Sequence, residues 1–222
     1  MSLQDLLVKI GRDRLSDGEQ LELSLLAGQL DHVAAFASGW NDGLNGIKSS
    51  AISFPFAPIY DTVLESDLSS VSVGIPDLYN HLLIVASGRT DAAGQSYDFM
   101  DLQLGGDTGA NYHWSYIQQL GTTVTANETL GDTKIRFGDF SGATANADSM
   151  SGCFLFMPHV RAPLWKPVYS LAGAELVAAG SGRVTVRSGF WKSTAPIDNV
   201  KIFPETGTVI KAGSLISVYG IL

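Results

Sequence analysis

The residues best suited to chemistry lie in the stretch LGGDTGANYHWSY, from Leu104 to Tyr116. Asp107, Asn111 and His113 carry the atoms a metal would need. Tyr112 and Trp114 offer faces that stack on a sugar or a base, and glycines at 105, 106 and 109 give the backbone freedom to turn. The spacing is not that of a calcium loop, and the Lys-Ser/Thr ending of a phosphate loop is missing. Asp107 and Asn111 are also good turn formers, whose side chains can bond their own backbone. Tyr112 and Trp114 share strand parity, so one packed face can bury both and turn His113 the other way.

Other enzyme chemistries find less support. His32, His81, His113 and His159 form no H-x-H or H-x-x-x-H pair, so a zinc site would have to converge from four distant segments. No G-x-S-x-G elbow occurs. Carboxylate pairs such as Asp98/Asp101 and Asp61/Glu65 are expected in any acidic chain and single out no glycosidase. Cys153, the single cysteine, lies in the apolar run SGCFLFMPHV and reads as a small buried hydrophobe rather than a nucleophile. The expectation is a protein that is not an enzyme and uses no cofactor and no metal.

Composition narrows the partners. Of 222 residues, 14 are Lys or Arg and 22 are Asp or Glu, a formal net charge of −8. The basic residues are scattered, which disfavours nucleic acid and an anionic bilayer. No apolar run is long enough to span a membrane, and the N-terminus lacks a secretory signature. Charged residues make up only 16 % and glycines number 24, which suits a loop-rich β protein with a weakly charged surface.

The elements that must position these residues fall into two regions. Leu3, Leu6, Leu7 and Ile10 have helical spacing. Ser16 and Glu19 form a capping box, with Leu15 as a staple, ahead of a face made by Leu23, Leu26, Leu30, Val33 and Phe36. Residues 1–38 are therefore predicted to be a short α-helical segment that anchors or oligomerises, with 39–49 as linker. From residue 50 to 222, short alternating runs recur between Gly, Pro, Asp and Ser, which predicts an antiparallel β-sandwich or barrel. Pro55 and Pro58 confine their strand to an edge or interrupt it. In SGRVTVRSGFW, Val184 and Val186 are expected to face the core and Arg183, Thr185 and Arg187 the outside. In the last segment, Ile216 and Val218 share one face, and this final strand is expected to pair with early ones.

Two patterns carry a resemblance. Gly106, Asp107, Gly109, Asn111 and Tyr112 spell G-D-x-G-x-N-Y, and Gly213, Ser214, Tyr219 and Gly220 spell G-S-x-x-x-x-Y-G near the end. Gly189, Trp191, Ser193, Thr194 and Ile197 loosely match a further segment, and Ile75–Val85 matches a strand. Over residues 45–222 the chain resembles a jelly-roll β-sandwich module of tailed-bacteriophage virion proteins. The resemblance implies a non-enzymatic structural or appendage protein of a phage or phage-like particle, made in the bacterial cytoplasm: a head spike, fibre or tail component. It implies a homo-oligomer, a trimer before a pentamer, joined to other virion proteins through the N-terminal helices, with host surface polysaccharide as a further partner. A stand-alone carbohydrate-binding lectin and a polysaccharide-degrading enzyme are the alternatives. Because unlike receptors share the motif, Gly106, Asp107, Asn111 and Tyr112 are expected to be structural. Receptor or glycan contact is expected at His113, Trp114, Trp191 and Arg187, with His113 first.

Overall fold

The computed structural model describes residues 56–175 and 182–222. The chain divides into Met1–Ser53 and Phe54–Leu222. The predicted helices of residues 1–38 and the linker 39–49 lie outside the described residues.

Among the described residues the second unit is mainly β, and the ladders between its strands are antiparallel, with one isolated parallel bridge between Arg89 and Ser141. Its strands are β1 (Phe56–Val63), β2 (Val71–Gly74), β3 (His81–Gly88), β4 (Tyr97–Leu104), β5 (Tyr112–Leu120) and β6 (Thr123–Asp132). They continue as β7 (Ile135–Ser141), β8 (Ser151–Met157), β9 (Lys166–Glu175), β10 (Gly182–Trp191), β11 (Asn199–Pro204) and β12 (Leu215–Ile221). Eight form one sheet in the order β1-β12-β3-β8-β9-β10-β5-β6, and four form another in the order β2-β11-β4-β7.

The alternation of each strand explains its place. In β3, Leu82, Ile84 and Ala86 are fully buried, and in β12, Ile216 and Val218 join them from the neighbouring strand. Met100, Leu102 and Leu104 of β4, Phe137 and Phe140 of β7 and Val200 and Ile202 of β11 belong to the same core. Each such side chain contributes roughly 1.5–3 kcal/mol when fully buried. One core thus joins the two sheets. β1 lies at an edge, and its register shifts between Pro58 and Tyr60, where the proline cannot donate to the ladder.

Late strands pair with early ones: β12 lies between β1 and β3, and β11 between β2 and β4. The consecutive pairs β5–β6 and β9–β10 all fall on one flank of the large sheet, beyond β8. Setting them aside leaves eight strands that switch sheets at every step except from β4 to β7, which pair within the smaller sheet. In chain order of those eight, one sheet reads 1-8-3-6 and the other 2-7-4-5.

One expectation about orientation is overturned. In β10 the valines point out and the arginines point in: Val184 and Val186 are 51 % and 56 % exposed, whereas Arg183 and Arg187 are 2 % and Thr185 is 0 %. The reason is a counter-charge. Asp139 of β7 is buried opposite β10 and receives Arg187 Nη2 at 2.8 Å and Arg183 Nε at 3.4 Å. Thr185 Oγ1 donates to the same carboxylate at 3.1 Å. A shift of one residue would reverse every side chain and leave Asp139 buried without a partner.

Candidate interaction surface

The G-D-x-G-x-N-Y turn joins β4 to β5 and is knotted by Asp107. Its Oδ1 accepts from the Gly109 amide at 2.8 Å, and its Oδ2 accepts from Asn111 Nδ2 at 2.9 Å and from Trp191 Nε1 at 2.6 Å. Burial pushes the Asp107 carboxyl up, but the bonds from Trp191, Asn111 and Gly109 outweigh it and hold the group below the usual carboxylate range. Tyr112, fully buried, accepts from the Leu104 amide at 3.0 Å and places its hydroxyl 2.9 Å from the Asp107 carbonyl. Burial pushes this phenol up to about 12. Gly105 has φ +58°, and a Cβ there would stand 2.9 Å from the Trp191 ring, so the turn needs glycine twice over. Gly106 also has positive φ, at +69°.

Trp191 and Trp114 are therefore structural parts of this knot and its flank rather than exposed platforms. Trp191 is 3 % exposed and stacks on Tyr112. Trp114 is buried, donates through Nε1 to Asp132 Oδ2 at 2.9 Å, and lies under the Arg136 guanidinium. Arg187 is enclosed with Asp139. These three expected contact residues have no surface to offer a receptor. His113 does face outward, half-buried, with its ring stacked on Phe190.

The C-terminal pattern also has local reasons. Gly213 turns the chain into β12 with φ +84°, and the buried Ser214 accepts the Arg89 amide at 3.2 Å. Gly220 leaves room for the ring of Tyr79, which a Cβ would strike, and Tyr219 stays half-buried beside it.

Between the sheets lies an ionic layer that sequence reasoning missed. Phe99 of β4 sits beneath the guanidinium of Arg136 at 3.9 Å and of Arg183 at 4.7 Å, and Arg183 also covers Tyr97 at 4.1 Å. Burial lowers the Arg183 pKa against the pull of Asp139. Asp101, fully buried on β4, meets Lys134 Nζ at 2.8 Å and Arg136 Nε at 3.7 Å. Glu205 closes this second group on the same two cations. Burial raises the Asp101 carboxyl more than Lys134 and Arg136 lower it. The signal in the sequence was RFGDF, where Asp139 stands between aromatic residues on a core strand.

On the other side of the large sheet the chemistry is reversed. Phe154, Leu171, Val186 and Ile117 are direct cross-strand neighbours over β8, β9, β10 and β5. All four are exposed. A groove of about 810 Å³ runs over them, with Tyr169 and Ser188 in its wall. Phe190 stacks on His113 on one side and on the exposed Trp165 on the other.

Among the described residues no three His, Cys, Asp or Glu side chains are placed to hold a metal ion. Cys153 is buried, and burial pushes its thiol up to about 12. The His81 ring is occupied locally, its Nδ1 accepting the backbone amide of His159 at 3.1 Å. The sequence matches no known family model, and no curated protein matches it.

Proposed function

We propose that the β unit is a jelly-roll sandwich serving as a non-enzymatic structural component of a phage or phage-like particle, and that the chain works as a homo-oligomer. The observation that carries the fold is the strand order. Eight of the strands, ordered 1-8-3-6 in one sheet and 2-7-4-5 in the other, support a reading as the two Greek keys of a jelly roll, widened by the β5–β6 and β9–β10 pairs. Viral capsid and lectin domains use this architecture, so the fold alone does not choose between scaffold and lectin.

The roles of the motif residues favour the scaffold. Asp107, Asn111, Tyr112, Gly213 and Gly220 hold turns and close contacts, as residues shared by an assembly module with varied targets should. Sugar stacking needs open aromatic faces, and the two tryptophans expected to supply them, Trp114 and Trp191, are buried. The reading places the chain on a head spike, fibre or tail, with the N-terminal segment joining it to other virion proteins.

The test is to purify particles from a producing culture and look for the chain by mass spectrometry and by gold-labelled antibody. The expected result is stoichiometric presence on an appendage. A chain found only in the soluble fraction would overturn the reading. Retention on a glycan array without particle association would favour the lectin, and shortening of a polysaccharide would favour the enzyme.

A further inference from the structure

The inverted alternation of β10 has two halves, and only the inner one is explained by Asp139. A sheet with one face in water normally alternates apolar-in and polar-out. Here charge is held inside, while the central outer positions of β8, β9, β10 and β5 are apolar. We infer that the outer face of the large sheet, centred on Phe154, Leu171, Val186 and Ile117, is a self-association surface that binds a second copy of this chain. This rests on the homo-oligomeric reading above and names the surface that achieves it.

Three observations select a second copy as the occupant. The first is area. The four side chains are 46 %, 38 %, 56 % and 61 % exposed, and Tyr169, Val184 and Phe190 extend the patch. With a large side chain worth roughly 150–250 Å² when fully buried and these seven about half exposed, the patch offers roughly 600–700 Å², most of one partner's share. A standard interface takes about 800 Å² from each partner. The second is charge. Copies that each carry −8 repel unless they meet where charge is absent. The central row carries none, and the adjacent row of Phe156, Tyr169, Ser188 and Ser115 meets its one charge at Glu128, where it reaches the edge strand β6. The third is continuity with an edge. The row ends at Ala126 on β6, the outermost strand, which is exposed along most of its length. An edge strand this long, with one acidic residue before its last position and no lysine or proline, is left open for another chain to cover.

The test uses the full chain. Sedimentation velocity from low to high micromolar concentration is expected to show an oligomer for the wild type. Val186→Glu and, separately, Ile117→Glu should each weaken it about 100-fold, because like charges then face each other across a desolvated contact. Leu78→Glu, at an exposed position in a loop away from the row, should leave it unchanged. Circular dichroism should be the same for all four proteins. If a glutamate variant fails to fold, Val186→Cys gives a second reading, since Cys153 is buried and leaves the new thiol as the one to label. Its maleimide labelling should slow at least tenfold as the protein is concentrated.

Glutamate variants that stay as oligomeric as the wild type would overturn the surface and leave the homo-oligomer standing. Labelling of Val186→Cys that does not depend on concentration would overturn the surface in the same way. A wild-type monomer at every concentration would overturn both. Sugar binding by that monomer, lost in Val186→Glu, would assign the face to a glycan instead.

Discussion

Replacing Asp139 by alanine removes the one carboxylate that faces two buried arginines. Arg187 Nη2 and Arg183 Nε lie 2.8 and 3.4 Å from its oxygens, and both guanidinium groups are almost fully enclosed. Thr185 loses its acceptor as well. Breaking a buried pair from one side costs about 3–5 kcal/mol, because the remaining charge is left without compensation. The rings of Phe99 and Tyr97 still lie against the cations, and such contacts are worth roughly 0.5–2 kcal/mol each. That favours the lower half of the range. For a unit of this size the melting temperature should fall by about 6–16 °C.

Urea titration with linear extrapolation measures the loss directly. Asp77→Ala is the control. Asp77 is 97 % exposed and pairs with Arg161 at 3.1 Å, so its loss should cost under about 1 kcal/mol. Replacing all three charges with apolar residues, as Asp139→Leu, Arg183→Met and Arg187→Met, should recover most of the stability. If Asp139→Ala stays within about 1 kcal/mol of the wild type, β10 does not hold its register by this carboxylate. The explanation of its inverted alternation then fails.

The remaining expectations concern the turn and the thiol. Asp107→Ala should lower the melting temperature, because Trp191, Asn111 and Gly109 lose an acceptor at a cost of about 1–3 kcal/mol, whereas His113→Ala should leave it nearly unchanged; equal losses by calorimetry would refute the division. The stability gap between wild type and Asp107→Asn should also depend on pH. The folded Asp107 pKa lies below its unfolded value, so the gap should be constant above about pH 5 and shrink as the pH falls through the lowered pKa, in urea titrations run down the acid range. Cys153 should resist Ellman's reagent at pH 8 in the native state and react at once in denaturant, given a thiol pushed up to about 12; fast native labelling would contradict its burial.

Most strands were legible because one of their faces meets the core. The alternation of His81–Gly88 and Leu215–Ile221 and the proline of β1, Pro58, read directly as buried strands and an interrupted edge. The strand β6 did not. In TVTANETLGD most positions on both faces remain open, so burial imposes no period on the sequence. The orientation of β10 was misread for a different reason. Alternation gives the period of a strand but not its sign, and the sign depended on Asp139, 44 positions before Arg183 in the chain. The knot around Asp107 was half legible. Turn chemistry and strand parity follow from local sequence, but the Trp191 bond spans 84 positions, and only the fold brings the two together.

The pairing of β1 with β12 decides how the unit responds to a pull. Phe56 stands opposite Ile221, about 5 Å away across an antiparallel ladder. A force drawing those two residues apart acts across the strands and loads the first rung before any other. The ladder then opens like a zip, one pair at a time, instead of resisting as many bonds sheared together. Tension is better carried across the broad faces of the sheets, where many contacts share the load at once. The same proximity means that a short connection from Ile221 back to Phe56 could close the unit into a ring, and new ends could then be cut at an exposed turn without disturbing either sheet.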